Sequence, residues 1–183
     1  MSMHDDVKEI LFTKEQLQQR VAELGQQISR DFADKEEPVV LVSVLRGSYI
    51  FMADLSRAID IPVQIDFMSV SSYGSGTKTS GQVEIKKDLS DPIEGVHVIV
   101  VEDILDSGTT LSYLMSVLSA RHPASISLCT LLDKPERREK PIYANYAGFT
   151  VPNAFIVGYG LDYAEKYRNL PYIGILKEEI YSK

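Results

Sequence analysis

Segments in which apolar residues recur every three or four positions alternate along the chain with short, continuous apolar runs. This pattern predicts alternating helices and strands. The first helix is expected to begin after Thr13, whose side chain forms a predicted capping box with Gln16. Apolar residues then recur every three or four positions from Leu17 to Ile28, so this helix should end near residues 32–35. Two further helices are predicted over residues 49–59 and 109–120.

Short and strongly apolar runs separate the predicted helices. They are typical of strands buried on both faces, because their apolar residues do not alternate with polar ones. Strands that alternate with helices in this way form a parallel sheet with helices packed on both sides. The sequence therefore predicts an α/β fold with a doubly wound, mainly parallel sheet. The predicted strands cover residues 39–45, 63–70, 96–101, 125–132, 154–159 and 172–176.

Composition and charge narrow the range of functions. Of the 183 residues 44% are apolar and 25% are charged, which is ordinary for a globular protein, and the formal net charge is −7. That charge argues against nucleic-acid binding. We expect a cytoplasmic protein, because there is no signal-peptide core and no apolar stretch of membrane-spanning length. The single cysteine, Cys129, is expected to be a buried core residue.

The segment VIVVEDILDSGTT, residues 98–110, carries the clearest candidate chemistry. Glu102 and Asp103 are expected at the end of a buried strand, where two adjacent carboxylates repel each other and need cationic or hydrogen-bonding partners. The glycine of DSGTT lets backbone amides turn toward an anion at the start of a helix. An acidic pair next to an anion cradle suits a sugar phosphate. A simpler interpretation, in which Asp106 or Ser107 only caps the helix, stays open.

This segment resembles the donor-binding motif of the type I phosphoribosyltransferases, which is two acids after an apolar run, two apolar residues and then D-[S/T]-G-x-T. The resemblance implies that fold, with a small hood, and the donor 5-phosphoribosyl 1-pyrophosphate. It implies that Glu102 and Asp103 hold the ribose hydroxyls, directly or through Mg²⁺. The remaining phosphoribosyl-binding residues would be Asp106, Ser107, Gly108, Thr109 and Thr110.

Other segments resemble the hypoxanthine (hypoxanthine-guanine) phosphoribosyltransferases. The run VLRGS looks like their pyrophosphate loop, in which the peptide bond between Leu45 and Arg46 would be cis. The run SSY looks like the start of their flexible catalytic loop, expected here over residues 71–81, which would close over pyrophosphate and exclude water. The residues that the resemblance assigns to pyrophosphate are Arg46, Gly47, Ser72, Tyr73 and Arg168.

The runs LLDKP and NAFIVGYGLDYAEKYRNLPYIG look like the base-binding part of the same enzymes. Lys134 would donate to the exocyclic oxygen of a purine, and an ammonium with no acceptor favours a 6-oxopurine over adenine. Without the resemblance, Lys134 would be interpreted as a solvated loop lysine. Asp106 would act as the general base at purine N7 or only orient the base. The residues assigned to the purine are Lys134, Phe155, Ile156 and Asp162, and those assigned to Mg²⁺ are Glu102, Asp103 and Asp162.

The resemblance therefore implies a purine salvage enzyme that transfers phosphoribose to N9 of hypoxanthine or guanine, giving IMP or GMP. The alternatives are xanthine, uracil or adenine as the base, of which adenine conflicts with Lys134, and a donor-sensing regulator that binds nucleic acid, which the net charge disfavours. We expect one domain over residues 1–183, with a core over about 36–160 and the hood from about 1–12 and 161–183. A homo-oligomer, dimer or tetramer, is implied by the resemblance alone.

Overall fold

The structure, a computed structural model, describes residues 2–72 and 83–182. Within these residues, strands alternate with helices for most of the chain. The strands are β1 (Val7–Phe12), β2 (Val39–Leu45), β3 (Gln64–Ser72), β4 (Val83–Lys87), β5 (His97–Leu105), β6 (Ser125–Asp133), β7 (Tyr146–Thr150), β8 (Ile156–Val157) and β9 (Ile173–Leu176). The α-helices are α1 (Lys14–Asp31), α2 (Tyr49–Ala58), α3 (Thr109–Ser119) and α4 (Glu178–Tyr181).

The main sheet has six strands in the order β4-β3-β2-β5-β6-β7. Five of them run parallel, and β4 lies antiparallel to β3 at one edge. The chain moves from β2 outward to β3 and later returns to place β5 on the other side of β2. The carboxyl ends of β2 and β5 therefore flank the point where the strand order reverses, which is where ligands bind in open α/β sheets.

Helices cover both faces of this sheet, so the predicted doubly wound, mainly parallel α/β fold is confirmed. Leu41 and Ile99 pack with residues of α1 and α2 on one face. Val42 and Val100 pack with residues of α3 on the other face. Alternate residues of each strand thus enter opposite cores, because successive side chains of a strand point to opposite faces. The continuous apolar runs seen in the sequence follow from this double burial.

A second, antiparallel sheet has the order β1-β9-β8 and joins the first strand of the chain to its last. The backbone amide of Lys177 donates to the carbonyl of Asp6 over 2.9 Å and extends this contact. The division into a core and a hood at the expected residue numbers stays a prediction. In the residues described here, no helix is both long and apolar enough to cross a membrane.

Several predicted elements agree closely with the structure. The capping box of α1 is present, since Gln16 N donates to Thr13 Oγ1 over 3.3 Å and Thr13 N donates to Gln16 Oε1 over 2.8 Å. Strand β2 has the predicted bounds. Cys129 is fully buried in the core, and burial raises the pKa of its thiol, which agrees with a structural role.

The predicted end of β5 was wrong. The strand continues past Val101 to Leu105, because its pairing with β6 continues through Glu102 and Ile104. The acidic pair therefore lies within the last part of a strand and not beyond its end. Strands β1, β4 and β7 were not predicted, because their short half-buried sequences lack a continuous apolar run. Strand β8 is two residues long, shorter than the predicted strand, and it belongs to the small sheet.

Candidate active site

Two neighbouring cavities open at the carboxyl ends of the central strands. The acidic cavity, of about 210 Å³, is lined by most of the residues from Glu102 to Leu111. The lysine cavity, of about 420 Å³, contains Lys134 and the predicted purine-binding segment. Ile104 and Asp106 line both cavities, so the two spaces adjoin at Asp106. The predicted residues on the acidic cavity are Glu102, Asp103, Asp106, Ser107, Gly108 and Thr110, and those on the lysine cavity are Asp106, Lys134, Phe155, Ile156 and Asp162.

The acidic pair is electrostatically unfavourable without a cation. Burial, and then the neighbouring charge of Asp103, raise the pKa of Glu102 well above its ordinary value. Burial also raises the pKa of Asp103, although the charge of Arg168 and hydrogen bonds oppose this shift. The backbone amide of Ile104 donates to Asp103 Oδ1 over 2.8 Å and fixes that carboxylate. The pair is thus held ready for a positive or hydrogen-bonding partner.

The turn after β2 lies directly against this pair. The peptide bond between Leu45 and Arg46 is cis, as the resemblance implied. Gly47 faces Asp103 so closely that a β-carbon placed on it would lie 1.8 Å from Asp103 Oδ2. Only glycine leaves room for the carboxylate at this contact. The turn that carries Arg46 and the strand that carries the acidic pair are therefore packed together at the switch point of the sheet.

The loop between β5 and α3 has the geometry of an anion cradle. Gly108 has a φ of +79°, a left-handed conformation that favours glycine, and it is the N-cap of α3. Glycine has no side chain that could cap the helix at that residue. Ser107 Oγ accepts from the amide of Thr109 over 3.3 Å, a weak local contact. The amino end of α3 thus faces the acidic cavity with its partial positive charge.

Lys134 is buried and not solvated, since only 7% of the residue is exposed. Its Nζ donates to the carbonyl of Ala154 over 3.0 Å, which directs the ammonium toward the segment that contains Phe155. Burial lowers the pKa of Lys134, and the charge of Asp106 opposes that shift. Phe155 is 37% exposed, whereas Ile156 is buried. A cation and an aromatic ring therefore share the wall of the lysine cavity.

Asp106 presents an oxygen that lacks a hydrogen bond. Its Oδ1 is buried and has no hydrogen-bond partner within the described part of the chain. Arg137 Nε lies 3.0 Å from this oxygen and forms an ion pair with it, without the alignment of a hydrogen bond. Buried acceptors are usually satisfied, so this one is suited to a donor supplied by a ligand.

The predicted pyrophosphate residues are only partly brought together. Arg46 is an exposed side chain that pairs with Glu165 Oε1 over 2.6 Å. Arg168 is mostly buried and pairs with Asp162 Oδ1 over 2.9 Å and with Glu165 Oε2 over 3.4 Å. Glu165 thus joins the two arginines, and Arg168 keeps a buried Nε without a hydrogen bond among the described residues. Tyr73 lies outside those residues, and Ser72 is described only as the last residue of β3.

Arg138 was not predicted, yet it holds the start of the β5–α3 loop. Its Nε donates to the carbonyl of Asp106 over 3.0 Å, and its Nη2 donates to the carbonyl of Leu105 over 3.3 Å. It also donates to the carbonyl of Ile142 over 2.5 Å and to the carboxylate of Asp133. Nothing in the sequence distinguishes Arg138 from the other charges of PERREK, because the carbonyls of Leu105 and Asp106 lie far from it in the chain.

Two more residues of the lysine cavity were also missed. Arg137 lines the cavity beside Asp106, and Tyr181 reaches it from α4 near the other end of the chain. Arg137 looks like an ordinary exposed charge in the sequence. Tyr181 follows the last predicted strand by five residues and belongs to no motif. The pairing of β8 with β9 brings its segment beside Phe155, and no sequence pattern indicates that pairing.

The carboxylates at this site would suit a magnesium ion that takes its other ligands from water and from a phosphorylated substrate. No cluster of three or more metal-ligating side chains exists among residues 2–72 and 83–182. Glu102 and Asp103 form a pair, and Asp162 lies apart from them on the lysine cavity. Mg²⁺ usually binds to one or two carboxylates and takes its other ligands from water and phosphates. A cation would also relieve the repulsion that raises the pKa of Glu102.

Comparison with known proteins decides the family. The phosphoribosyl transferase domain matches residues 8–164, which include both cavities except Tyr181. The chain belongs to this phosphoribosyl transferase family. A hypoxanthine-guanine phosphoribosyltransferase of Staphylococcus aureus is 51% identical over 98% of this chain and 99% of the relative. A bifunctional protein TilS/HprT of Listeria monocytogenes is 53% identical over the whole chain, which spans only 28% of that relative.

Solved structures agree with this phosphoribosyl transferase assignment. A crystal structure of a hypoxanthine phosphoribosyltransferase from S. aureus superimposes with a TM-score of 0.95 and 50% identity, covering 99% of this chain and 97% of that one. A mutant hypoxanthine phosphoribosyltransferase from Trypanosoma cruzi, in a ternary complex with substrates, superimposes with a TM-score of 0.92 and 45% identity. It covers 97% of this chain and 99% of that one.

Proposed function

We propose that the chain is a purine salvage transferase. It moves the 5-phosphoribosyl group from 5-phosphoribosyl 1-pyrophosphate to N9 of hypoxanthine or guanine, and it releases IMP or GMP and pyrophosphate. The observation that carries this proposal is the position of Asp106, which lines both the acidic cavity and the lysine cavity. A sugar phosphate in the first cavity would meet a purine in the second at this residue. The full-length similarity to the S. aureus enzyme supports the same activity.

Each group of residues then has a chemical task. Glu102 and Asp103 would hold the ribose hydroxyls and place negative charge near a sugar that becomes cationic in the transition state. The loop of residues 107–110 would bind the 5′-phosphate with backbone amides and hydroxyls. Arg46 and Arg168 would bind the leaving pyrophosphate, for which they would have to exchange their present contacts with Glu165.

The lysine cavity would select and activate the base. Lys134 would donate to the 6-oxo group, Phe155 would stack on the ring, and Ile156 would contact its edge through backbone groups. The Oδ1 of Asp106, which pairs with Arg137 and lacks an aligned hydrogen bond, would accept the proton from purine N7. Asp162 lines the same cavity and would also contact the purine.

Mg²⁺ is the expected cofactor. Bound with the donor, it would neutralise charge on the pyrophosphate and make it a better leaving group. Glu102 and Asp103 would hold one ion, and Asp162 would hold a second through water. The roles of Ser72 and Tyr73, the homo-oligomer and the cytoplasmic location stay predictions.

A direct assay tests the activity. The full chain is incubated with the donor, Mg²⁺ and one base at a time, using hypoxanthine, guanine, xanthine and adenine. We expect IMP and GMP to form, adenine to be excluded by Lys134, and chelation of Mg²⁺ to stop turnover. Failure to form either nucleotide from hypoxanthine or guanine would refute the proposal, and a preference for xanthine would correct its substrate.

Asp106→Asn tests the proton transfer. The amide keeps the size of the side chain but is not a base, so we expect kcat to fall by about 10²- to 10⁴-fold while donor binding is retained. Asp91→Asn, at an exposed aspartate between β4 and β5, is the matched control and should keep full activity. An unchanged kcat in Asp106→Asn would remove this residue from the chemistry.

A further inference from the structure

Three aromatic side chains meet where the lysine cavity approaches the small sheet. The rings of Phe155 and Tyr181 are stacked, with centroids 4.8 Å apart and an angle of 25° between their planes. Tyr163 meets Phe155 edge-on, at 5.3 Å and 90°, and it meets Tyr181 at 6.5 Å and 68°. Tyr163 thus fixes the position of both stacked rings from the side. Phe155 and Tyr181 both line the cavity, so the stacked pair forms part of its wall.

The backbone holds Tyr181 in this position. Ile156 pairs with Ile175 in the small sheet, and the amide of Leu176 donates to the carbonyl of Phe155 over 2.9 Å. Tyr181 follows five residues later at the end of α4, and it packs against a small apolar core that includes Leu176. The segment that carries Tyr181 is therefore hydrogen-bonded to the segment that carries Phe155, and the two rings are not brought together by side chains alone.

We propose that Tyr181 is a second aromatic contact for the purine, a role that rests on the function proposed above. Tyr181 covers one face of Phe155, so the base would stack on the other face of Phe155 and would meet the Tyr181 ring at its edge. Aromatic rings prefer such stacked or edge-on arrangements, and a purine has the same preference. Tyr181 would act on the base alone, because it lines the lysine cavity and does not line the acidic cavity where the donor would bind.

The test compares Tyr181→Ala with Tyr181→Phe in the full chain. Steady-state kinetics give KM for hypoxanthine, KM for the donor, and kcat for each variant. We expect Tyr181→Ala to raise KM for hypoxanthine about 3- to 10-fold, the loss of one favourable aromatic contact, with KM for the donor changed less than about 2-fold. Tyr181→Phe keeps the ring and should retain the wild-type value.

Matched controls separate this role from a purely structural one. Tyr143→Ala removes a ring that is 80% exposed and should change neither KM. Tyr181→Leu preserves apolar packing without a ring, so it should raise KM for hypoxanthine as the alanine variant does, even if Tyr181→Ala fails to fold. IMP binding by calorimetry gives a readout without turnover, and the same ring-dependent loss of affinity is expected.

The outcomes are distinct. An unchanged KM for hypoxanthine in Tyr181→Leu overturns the inference, and so does a lowered KM, which would mean that the ring occupies the place of the base. An equal rise in the KM of hypoxanthine and of the donor would also overturn it, because the effect would then be general. If the wild-type chain forms no nucleotide from any 6-oxopurine, the proposed function itself has failed.

Discussion

The contact between Gly47 and Asp103 offers the sharpest test of the site. Gly47→Ala adds one methyl group, which would lie 1.8 Å from Asp103 Oδ2 and 2.7 Å from its Cγ. The φ of Gly47 lies outside the left-handed region, so the backbone can accept alanine and only the collision is tested. The carboxylate of Asp103 must turn away, and it then loses the hydrogen bond from Ile104 N, now 2.8 Å long.

The size of the effect follows from that hydrogen bond. A hydrogen bond to a charged group contributes about 1.5–3 kcal/mol, and a factor of ten in rate corresponds to about 1.4 kcal/mol. If Asp103 holds the ribose as proposed, kcat/KM for the donor should fall about 10- to 100-fold. The KM for hypoxanthine should change less than about 2-fold, because neither Gly47 nor Asp103 lines the lysine cavity.

Initial rates at saturating hypoxanthine and varied donor measure this loss, and thermal unfolding of the same samples measures stability. Gly95→Ala is the matched control, because its φ is +72° and its new methyl group would meet no atom within 4 Å. That control should lose about 1 kcal/mol of stability through backbone strain and keep its activity. A kcat/KM for the donor within about threefold of wild type in Gly47→Ala would refute the reasoning.

Three further predictions concern buried charges. Glu102→Gln should raise Tm at neutral pH by about 2–4 °C while it lowers activity, because it removes a partly buried charge from beside Asp103. Because folding raises the pKa of Glu102, wild-type stability falls as pH rises from the ordinary glutamate pKa through the raised one. Scanning fluorimetry should therefore find that the gain in Tm vanishes near pH 4. The pH profile of kcat/KM for hypoxanthine should fall at alkaline pH as Lys134 loses its proton, and the fall should come below the usual lysine range because burial lowers the pKa of Lys134. The profile of Lys134→Arg should lack this fall, because arginine stays protonated. Arg138→Met should lower kcat at least about 10-fold in rate assays, whereas Arg121→Met, which breaks an ion pair with Asp88 far from the site, should not.

The sequence predicted the fold well because its strongest signals are those of deep burial. The apolar strands β2 and β6 and the capped helix α1 are each determined by local pattern. The edge strands were missed because a half-buried strand such as β4, VEIKK, has no continuous apolar run and alternates apolar with polar residues over only four positions. The end of β5 was misplaced because Glu102 and Asp103 look like the end of a strand, whereas backbone pairing with β6 continues past them.

The residues of the candidate site were likewise predicted where a local motif contains them, and missed where only contacts between distant segments bring them in. Glu102, Asp103 and Asp106 were named because a contiguous motif contains them, and the structure places them on one cavity. Arg138 and Tyr181 could not be named, because their contacts join segments far apart in the chain and neither belongs to a motif. Lys134 was assigned to the purine only by resemblance, since no local pattern indicates that a lysine after a strand is enclosed.

Arg138 also holds the start of the β5–α3 loop in place in the chain without substrate. Its hydrogen bonds fix the carbonyls of Leu105 and Asp106 as the chain folds, before any substrate arrives. The loss of conformational entropy that this loop requires is therefore part of folding and is absent from donor binding. Calorimetry of the donor should accordingly show a small entropic penalty in the wild type. In Arg138→Met that penalty should grow, so the weaker binding would appear mainly as entropy.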